Sequence, residues 1–406
     1  MRKILVIISG GLPIPAIKGG AVETLIDSYI NENEKNPKYE FEVYSTYCEN
    51  IEKYQQKYKN CSFSYIKVNS FLYQVDRYFR AFMHKIFKLP IEFKFIHEIK
   101  KDIKRNNKHY DLIIVENNAS IVPPIAKLFK NRVVLHLHND NVNNQIQDGY
   151  KIFNECRRIY AVSDYIKNRC LTCDSNSSKV ITLFNGINQH ELLNYKNTTL
   201  RNQVRSQYGI NKNDIVFIFT GRVCDDKGVR ELLIAFNKLC EKYNDIKLMI
   251  VGASFFSAKK KSKYVKELIS IAKLNKKKII FTGYVKHSEI GKIYNAADIQ
   301  VVPSKFDDPC PLTVLEGITM GLPQIVSNCG GIPEEVNEKN AIFVDRKDLI
   351  NNLKIAMAEL IDNSRKRFIM SKNSFERAKL FTLENYNKNF FMLIDEEFDE
   401  EGVLNV

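Results

Sequence analysis

The chain has 406 residues, 44% hydrophobic and 27% charged, with a formal net charge of +14. That length exceeds one comfortable hydrophobic core and points to two globular domains of about 200 residues each. No run approaches the roughly 18 apolar residues that cross a bilayer, and nine cysteines scattered from Cys48 to Cys329 argue against a disulfide framework.

The opening MRKILVIISGGLPIP sets two basic residues before a short apolar run, as a signal peptide would. A glycine-rich turn follows where a small-residue cleavage site is needed, so a buried first strand is the better reading. With the unpaired cysteines, this makes the expected location cytoplasmic. Short Val-, Ile- and Phe-rich runs then recur at Lys3–Ser9, Phe41–Tyr47, Leu112–Glu116, Arg132–His138, Arg158–Ser163 and Lys179–Phe184. Runs that are apolar throughout, instead of alternating, suit parallel strands covered on both faces. Ala21–Asn33 is the first crossover helix.

Between these strands, Phe71–Tyr110 interleaves Arg77, Arg80, Lys85, Lys88, Lys94, Lys100, Lys101, Lys104 and Arg105 with phenylalanines that include Phe93 and Phe95. Two readings stay open: helices packed on the first domain, or a segment lying in an anionic membrane interface. Cys170-Leu-Thr-Cys173 is a single CxxC with no second pair or histidines at zinc spacing, so no metal site is expected. The basic residues are spread along the chain without a nucleic-acid-binding signature, so nucleic acid is not an expected partner.

The pattern weakens from about Asn188 to Asn213, which places the domain boundary near 195/196. A second set of strands follows at Ile215–Gly221, Ile246–Gly252, Lys278–Tyr284, Ile299–Ser304, Pro323–Ser327 and Ala341–Val344. Helices are expected at Val229–Tyr243, Lys263–Leu274, His287–Asn295 and Leu312–Met320. Two βα-repeating sets make an α/β protein with two doubly wound, Rossmann-like domains, 1–195 and 196–382. An amphipathic segment at about 383–400 closes the chain and is long enough to cross back onto the first domain.

Doubly wound sheets bind ligands at the carboxyl ends of their strands. Neither G-x-G-x-x-G nor a phosphate-binding P-loop follows either opening strand, which turns the reading away from dehydrogenases and P-loop NTPases. Instead, Gly221-Arg222 ends the seventh predicted strand and Lys227-Gly228 opens the next helix. Arg supplies a bidentate fork and Lys a point charge, while glycines let backbone approach a diphosphate. Further on, Asp308 in a loop and Glu316 on the following helix are separated by seven residues. The helix opened at Leu312 offers free N–H groups and a positive dipole end to phosphate. Asp308 can then reach sugar hydroxyls and Glu316 ribose hydroxyls.

These pieces together resemble family 4 of the retaining glycosyltransferases, which has the two-domain GT-B fold with a cleft between its domains. The matching stretches are KGGAVETL (18–25), LHLHND (135–140), LFNGIN (183–188), TGRVCDDKGVRELLIAF (220–236), FTGYVKHSEIGKIYNAADIQVVPS (281–304), DPCPLTVLEGITMGLPQIVS (308–327) and NCGGIPEEV (328–336). The resemblance implies that Arg222 and Lys227, beside Gly221, bind the donor pyrophosphate. Leu312 and Thr313 would offer backbone N–H groups, Glu316 would hold the ribose and Val285 would sit by the base. Asp308 occupies the position of the sugar-facing acid, usually Glu. His138 matches the first-domain histidine near the reacting sugar, with His136 a weaker match; Gly19 and Gly20 fall in the first donor-side glycine motif.

The implied reaction moves a hexose-type sugar from a nucleotide diphosphate, expected to be a UDP-sugar, to a glycan or lipid-linked acceptor with retained configuration. Neither cofactor nor metal is expected, since side chains and a helix end carry the charge. The implied setting is bacterial surface-polysaccharide synthesis, with peripheral contact to anionic membrane. Two alternatives remain: another sugar-nucleotide enzyme class on this fold, or a coat or binding protein that keeps the fold without strong activity.

Overall fold

The computed structural model describes residues 1–8, 11–67, 94–253 and 263–404. The chain divides into two compact units, Met1–Phe184 with Tyr386–Val406, and Asn185–Asn385. The boundary expected at 195/196 therefore falls earlier, and for a physical reason. The short helix Gln189–Leu193 packs on the helices Ile290–Ala296 and Leu312–Thr319 of the second unit.

The first unit is built on a seven-stranded parallel sheet, in the order β3-β2-β1-β4-β5-β6-β7. Its strands are β1 (Arg2–Ile7), β2 (Tyr39–Thr46), β3 (Cys61–Ile66), β4 (Leu112–Glu116), β5 (Val133–Leu137), β6 (Arg158–Ala161) and β7 (Val180–Thr182). Ile4 to Ile7 and Leu112 to Val115 are fully buried, as a strand covered on both faces requires. The strand absent from the sequence reading is β3. It is an edge strand whose CSFSYI run buries only Cys61 fully, so its apolar signal is weak.

The final helix, Leu383–Leu404, belongs to this unit for nearly its whole length. Tyr386, Phe390, Leu393, Ile394 and Phe398 recur every three or four residues and are buried along one stripe. Phe390 stacks on Tyr29, ring centroids 4.1 Å apart. Buried Glu397 is ion-paired with Arg157 at 2.6 Å and accepts from Arg158 at 2.8 Å, which offsets the cost of burying its carboxylate.

The second unit has a six-stranded parallel sheet, in the order β10-β9-β8-β11-β12-β13. Its strands are β8 (Ile215–Thr220), β9 (Ile246–Val251), β10 (Ile279–Gly283), β11 (Ile299–Val302), β12 (Gln324–Ser327) and β13 (Ala341–Val344). Phe217, Phe219, Leu232, Phe236, Leu353 and Met357 sit at the centre of its core. In both sheets the strand order reverses once: between β1 and β4, and between β8 and β11. A crevice opens at such a switch point, beyond the carboxyl ends of the strands. Gly19, Gly20 and Glu116 follow or end the first pair; Gly221, Arg222, Lys227 and Asp308 follow the second.

No helix among the described residues is long and apolar enough to cross a membrane. The basic segment's residues 71–93 lie outside the described residues. Its remainder forms the helix Lys94–Arg105, with Phe95, Ile96, Ile99 and Ile103 in the core.

Candidate functional site

In the second unit, β8 ends at Thr220, Gly221 turns the chain with φ 144°, and Arg222 projects as an exposed cation. Arg222 makes no ion pair among the described residues. A single turn of 3-10 helix, Asp225–Lys227, delivers the lysine, and Gly228 starts the helix Val229–Leu239. Gly228 has φ 68°, and a Cβ there would run into the carbonyl of Pro303, so this turn needs glycine. The close approach locks the β8 loop against the β11 loop. A second tie is the 2.7 Å bond from the Lys305 N–H to the Asp226 carbonyl.

That docking brings Lys227 and Asp308 together: their side chains form an ion pair, and the Lys227 ammonium also lies 4.7 Å from the Phe306 ring centroid. Asp308 is buried. It is fixed from behind by Gly330-Gly331: Gly331 donates to the Asp308 carbonyl at 2.8 Å. Gly330, at φ 58°, leaves no room for a Cβ beside the Asp308 backbone.

The helix Leu312–Thr319 begins three residues beyond Pro309, behind Pro311, and no side chain caps it. The backbone N–H groups of Leu312 and Thr313 stand at its positive end. One turn in, Glu316 is buried. Its Oε2 accepts from the Tyr294 hydroxyl at 2.8 Å, and its Oε1 lies 3.7 Å from His287 Nδ1. Burial raises the Glu316 pKa above its ordinary value, with His287 and Tyr294 pulling the other way. Gln300 completes the frame by donating to the Thr313 carbonyl at 2.8 Å. Val285 is half-buried in the loop after β10, two residues before His287.

Lys227 and Asp308 thus meet directly, while Leu312, Thr313 and Glu316 share one short helix. Gly19, Gly20 and His138 belong to the other unit. Gly19 has φ 72° and Gly20 φ 111°, in the turn that opens the helix Ala21–Lys35. His138 follows β5, and its backbone N–H donates to Asn117 Oδ1 at 3.1 Å. Burial, then the neighbouring His136, push its pKa down to about 4 against the pull of Glu116. Its imidazole is therefore neutral at neutral pH.

Sequence reasoning missed Tyr294, Gln300, Glu116 and the pair Cys310–Glu335. Cys310 donates its S–H to Glu335 at 3.2 Å, and burial raises the pKa of both. Tyr294 and Gln300 read as ordinary helix and strand residues; only the strand order places them beside Glu316.

The glycosyl transferases group 1 family model matches residues 201–377, the stretch that carries this uncapped helix, its buried acid and the cations Arg222 and Lys227. The chain is a glycosyltransferase of the GT-B fold. Spore coat protein SA of Bacillus subtilis is 26% identical to the enzyme over 388 residues, covering 93% of this chain and 94% of that protein. A lipopolysaccharide 1,2-N-acetylglucosaminetransferase of Salmonella typhimurium is 29% identical over 202 residues, covering 47% of this chain and 52% of that protein. Among solved structures, Anabaena HepE in complex with UDP superposes with a TM-score of 0.73 at 17% identity. That match covers 98% of this chain and all of HepE. Sucrose-phosphate synthase of Thermosynechococcus elongatus gives 0.75 at 16% identity, covering 98% of this chain and 100% of its own. At these identities the structural matches speak for the fold alone.

Proposed function

We propose that the enzyme transfers a hexose-type sugar, with retained anomeric configuration, from a UDP-sugar to a glycan or lipid-linked acceptor in bacterial surface-polysaccharide synthesis. The observation that carries this reading is one helix end. Leu312 and Thr313 present uncapped N–H groups there, and buried Glu316 stands one turn behind them. An anion at that end gains from the helix dipole, and a ribose behind it meets a carboxylate with a free acceptor site.

In this reading Arg222 and Lys227 meet the diphosphate. Breaking the bond from the anomeric carbon to oxygen builds negative charge on the departing β-phosphate and positive charge on the sugar ring. The Arg222 guanidinium, the Lys227 ammonium and the Leu312 helix end stabilise the first of these, so donor chemistry at this site calls for no metal. Asp308 faces the sugar, and Val285 the base. In the first unit, His138 serves the acceptor and reacting-sugar side, and Gly19 and Gly20 the donor. The occurrence together of Arg222, Lys227, Asp308 and Glu316 speaks against an inactive coat or binding protein.

The HepE complex with UDP and the lipopolysaccharide transferase lend support to the donor and to the acceptor class respectively. A lipid-linked acceptor would place the enzyme at the cytoplasmic face of the cell membrane, held there peripherally.

A panel of nucleotide sugars decides the donor, read by thermal shift and by slow hydrolysis in the absence of acceptor. A uridine diphosphate hexose should stabilise and be hydrolysed with the configuration of the released sugar unchanged. Stabilisation only by guanosine or adenosine diphosphate sugars, or an inverted product, would overturn the corresponding part of the reading.

A further inference from the structure

Glu116 is the last residue of β4 and stands in register with His136 on β5. Side chains two apart on a strand share a face, so His136 and His138 project to the same side, toward Glu116. Glu116 Oε2 lies 3.0 Å from His136 Nδ1 and 3.5 Å from His138 Nε2, and the three atoms lie within 4.8 Å of one another. Ligands bound about 2.0–2.1 Å from a tetrahedral zinc ion stand roughly 3.4 Å apart, so the two carboxylate distances already match a coordination shell.

All three side chains are buried. Glu116 Oε2, both nitrogens of His136 and His138 Nε2 have no well-aligned hydrogen-bond partner among the described residues. Buried polar atoms are normally satisfied, so three orphans converging on one point, Glu116 Oε2, His136 Nδ1 and His138 Nε2, call for an occupant. The other carboxylate oxygen, Oε1, accepts from the Tyr29 hydroxyl at 3.2 Å. Such an outer-shell bond orients a ligating carboxylate. The sequence alone had suggested no metal site.

We propose that Glu116, His136 and His138 form a binding site for a divalent transition ion, Zn2+ in particular, in the first unit. Two imidazoles and one carboxylate suit zinc, with water in the fourth position. All three residues belong to the first unit, whereas Arg222, Lys227 and Glu316 belong to the second. One ion there satisfies all three converging atoms and leaves His136 Nε2 outside its shell.

The full-length protein, stripped with chelator and dialysed, is titrated with Zn2+ against a chromophoric competing chelator and separately with Co2+. The expected result is one saturable equivalent per chain, and a tetrahedral Co2+ spectrum without the thiolate charge-transfer band that cysteine ligands would give. Glu116→Gln and His138→Ala should each weaken Zn2+ binding by more than about 100-fold, beyond the roughly 10–100-fold that loss of an outer-shell partner costs. The spectrum of the unaltered protein stands whether or not either variant folds. Absence of a saturable equivalent, a thiolate band, or unchanged affinity in both variants would overturn the proposal.

Discussion

The Lys227 ammonium and the Asp308 carboxylate are ion-paired across two strand-end loops, the first after β8 and the second after β11. The cation proposed for the phosphates and the acid proposed for the sugar, read separately in the sequence, hold each other. A diphosphate arriving at Lys227 must share it with Asp308. The pair therefore sets the lysine's position at the cost of part of its attraction for phosphate.

The pairing sharpens the expected behaviour of the two acids. Asp308→Ala should leave UDP affinity unchanged or make it tighter, because it frees Lys227, while lowering turnover with the nucleotide sugar. Glu316→Ala should weaken UDP itself. Calorimetry with UDP and transfer assays on both variants check the division, and matching losses of UDP affinity in the two would contradict it.

Arg222 is exposed and free of ion pairs among the described residues, so in the proposed clamp its guanidinium would approach the diphosphate from water. Its loss should cost at the lower end of the charge-assisted range, about 1.5 kcal/mol in UDP binding. That is roughly a tenfold rise in Kd. Calorimetry that finds Arg222→Ala binding UDP as the parent does would remove it from the clamp.

What was legible in the sequence followed from burial. Strands such as Ile4–Ile7 and Phe217–Phe219 are apolar because both faces are covered, and their carboxyl ends located Gly221, Lys227 and Asp308. The edge strand β3 was not legible, since CSFSYI leaves most of its side chains half-exposed. Nor were partnerships between strands distant in sequence. Glu116 and His136 each ended or neared the end of a predicted strand, but their register is a property of the sheet. In the same way, Tyr294 became visible as the partner of Glu316 only through packing.

Glu316 gives a pH signature. Burial raises its pKa in the folded state above the ordinary 4.5, so the fold favours the protonated form. A raised pKa contributes stability below the unfolded value and loses it as pH rises through the folded value. At neutral pH the buried carboxylate thus opposes folding. Glu316→Gln mimics the protonated form and keeps an acceptor for Tyr294. It should melt higher than the parent at neutral pH, and the gap should close as pH falls toward 4.5. A gap that widened on acidification would reverse the assignment.

In the proposed donor site the charge is carried by cationic side chains and a helix end, so transfer should not depend on magnesium or manganese. Activity abolished by chelator and restored by either ion would contradict this. Restoration by zinc alone would point instead to the Glu116–His136–His138 cluster.

The helix Lys94–Arg105 carries the described cations of the basic segment nearest its centre. Phe95 belongs to the interleaved aromatics that suggested insertion below lipid headgroups, yet it is in the core with Ile96, Ile99 and Ile103. Membrane contact through this helix must therefore be electrostatic. Lys101, Lys104 and Arg105 are exposed, whereas Lys108, just beyond, is engaged by Glu42 at 2.6 Å and Asp102 at 2.8 Å. Three free cations near an anionic surface contribute about 1 kcal/mol each at most. Replacing Lys101, Lys104 and Arg105 with Gln should then reduce partitioning onto anionic vesicles by up to about 100-fold. The effect should fade as added salt shortens the screening length from about 10 Å at 0.1 M to about 3 Å at 1 M. UDP affinity and melting temperature should not move, because these side chains leave the core untouched. Vesicle cosedimentation checks it: equally weak recovery of the unaltered protein with neutral and anionic lipid would make this helix a plain solvated face.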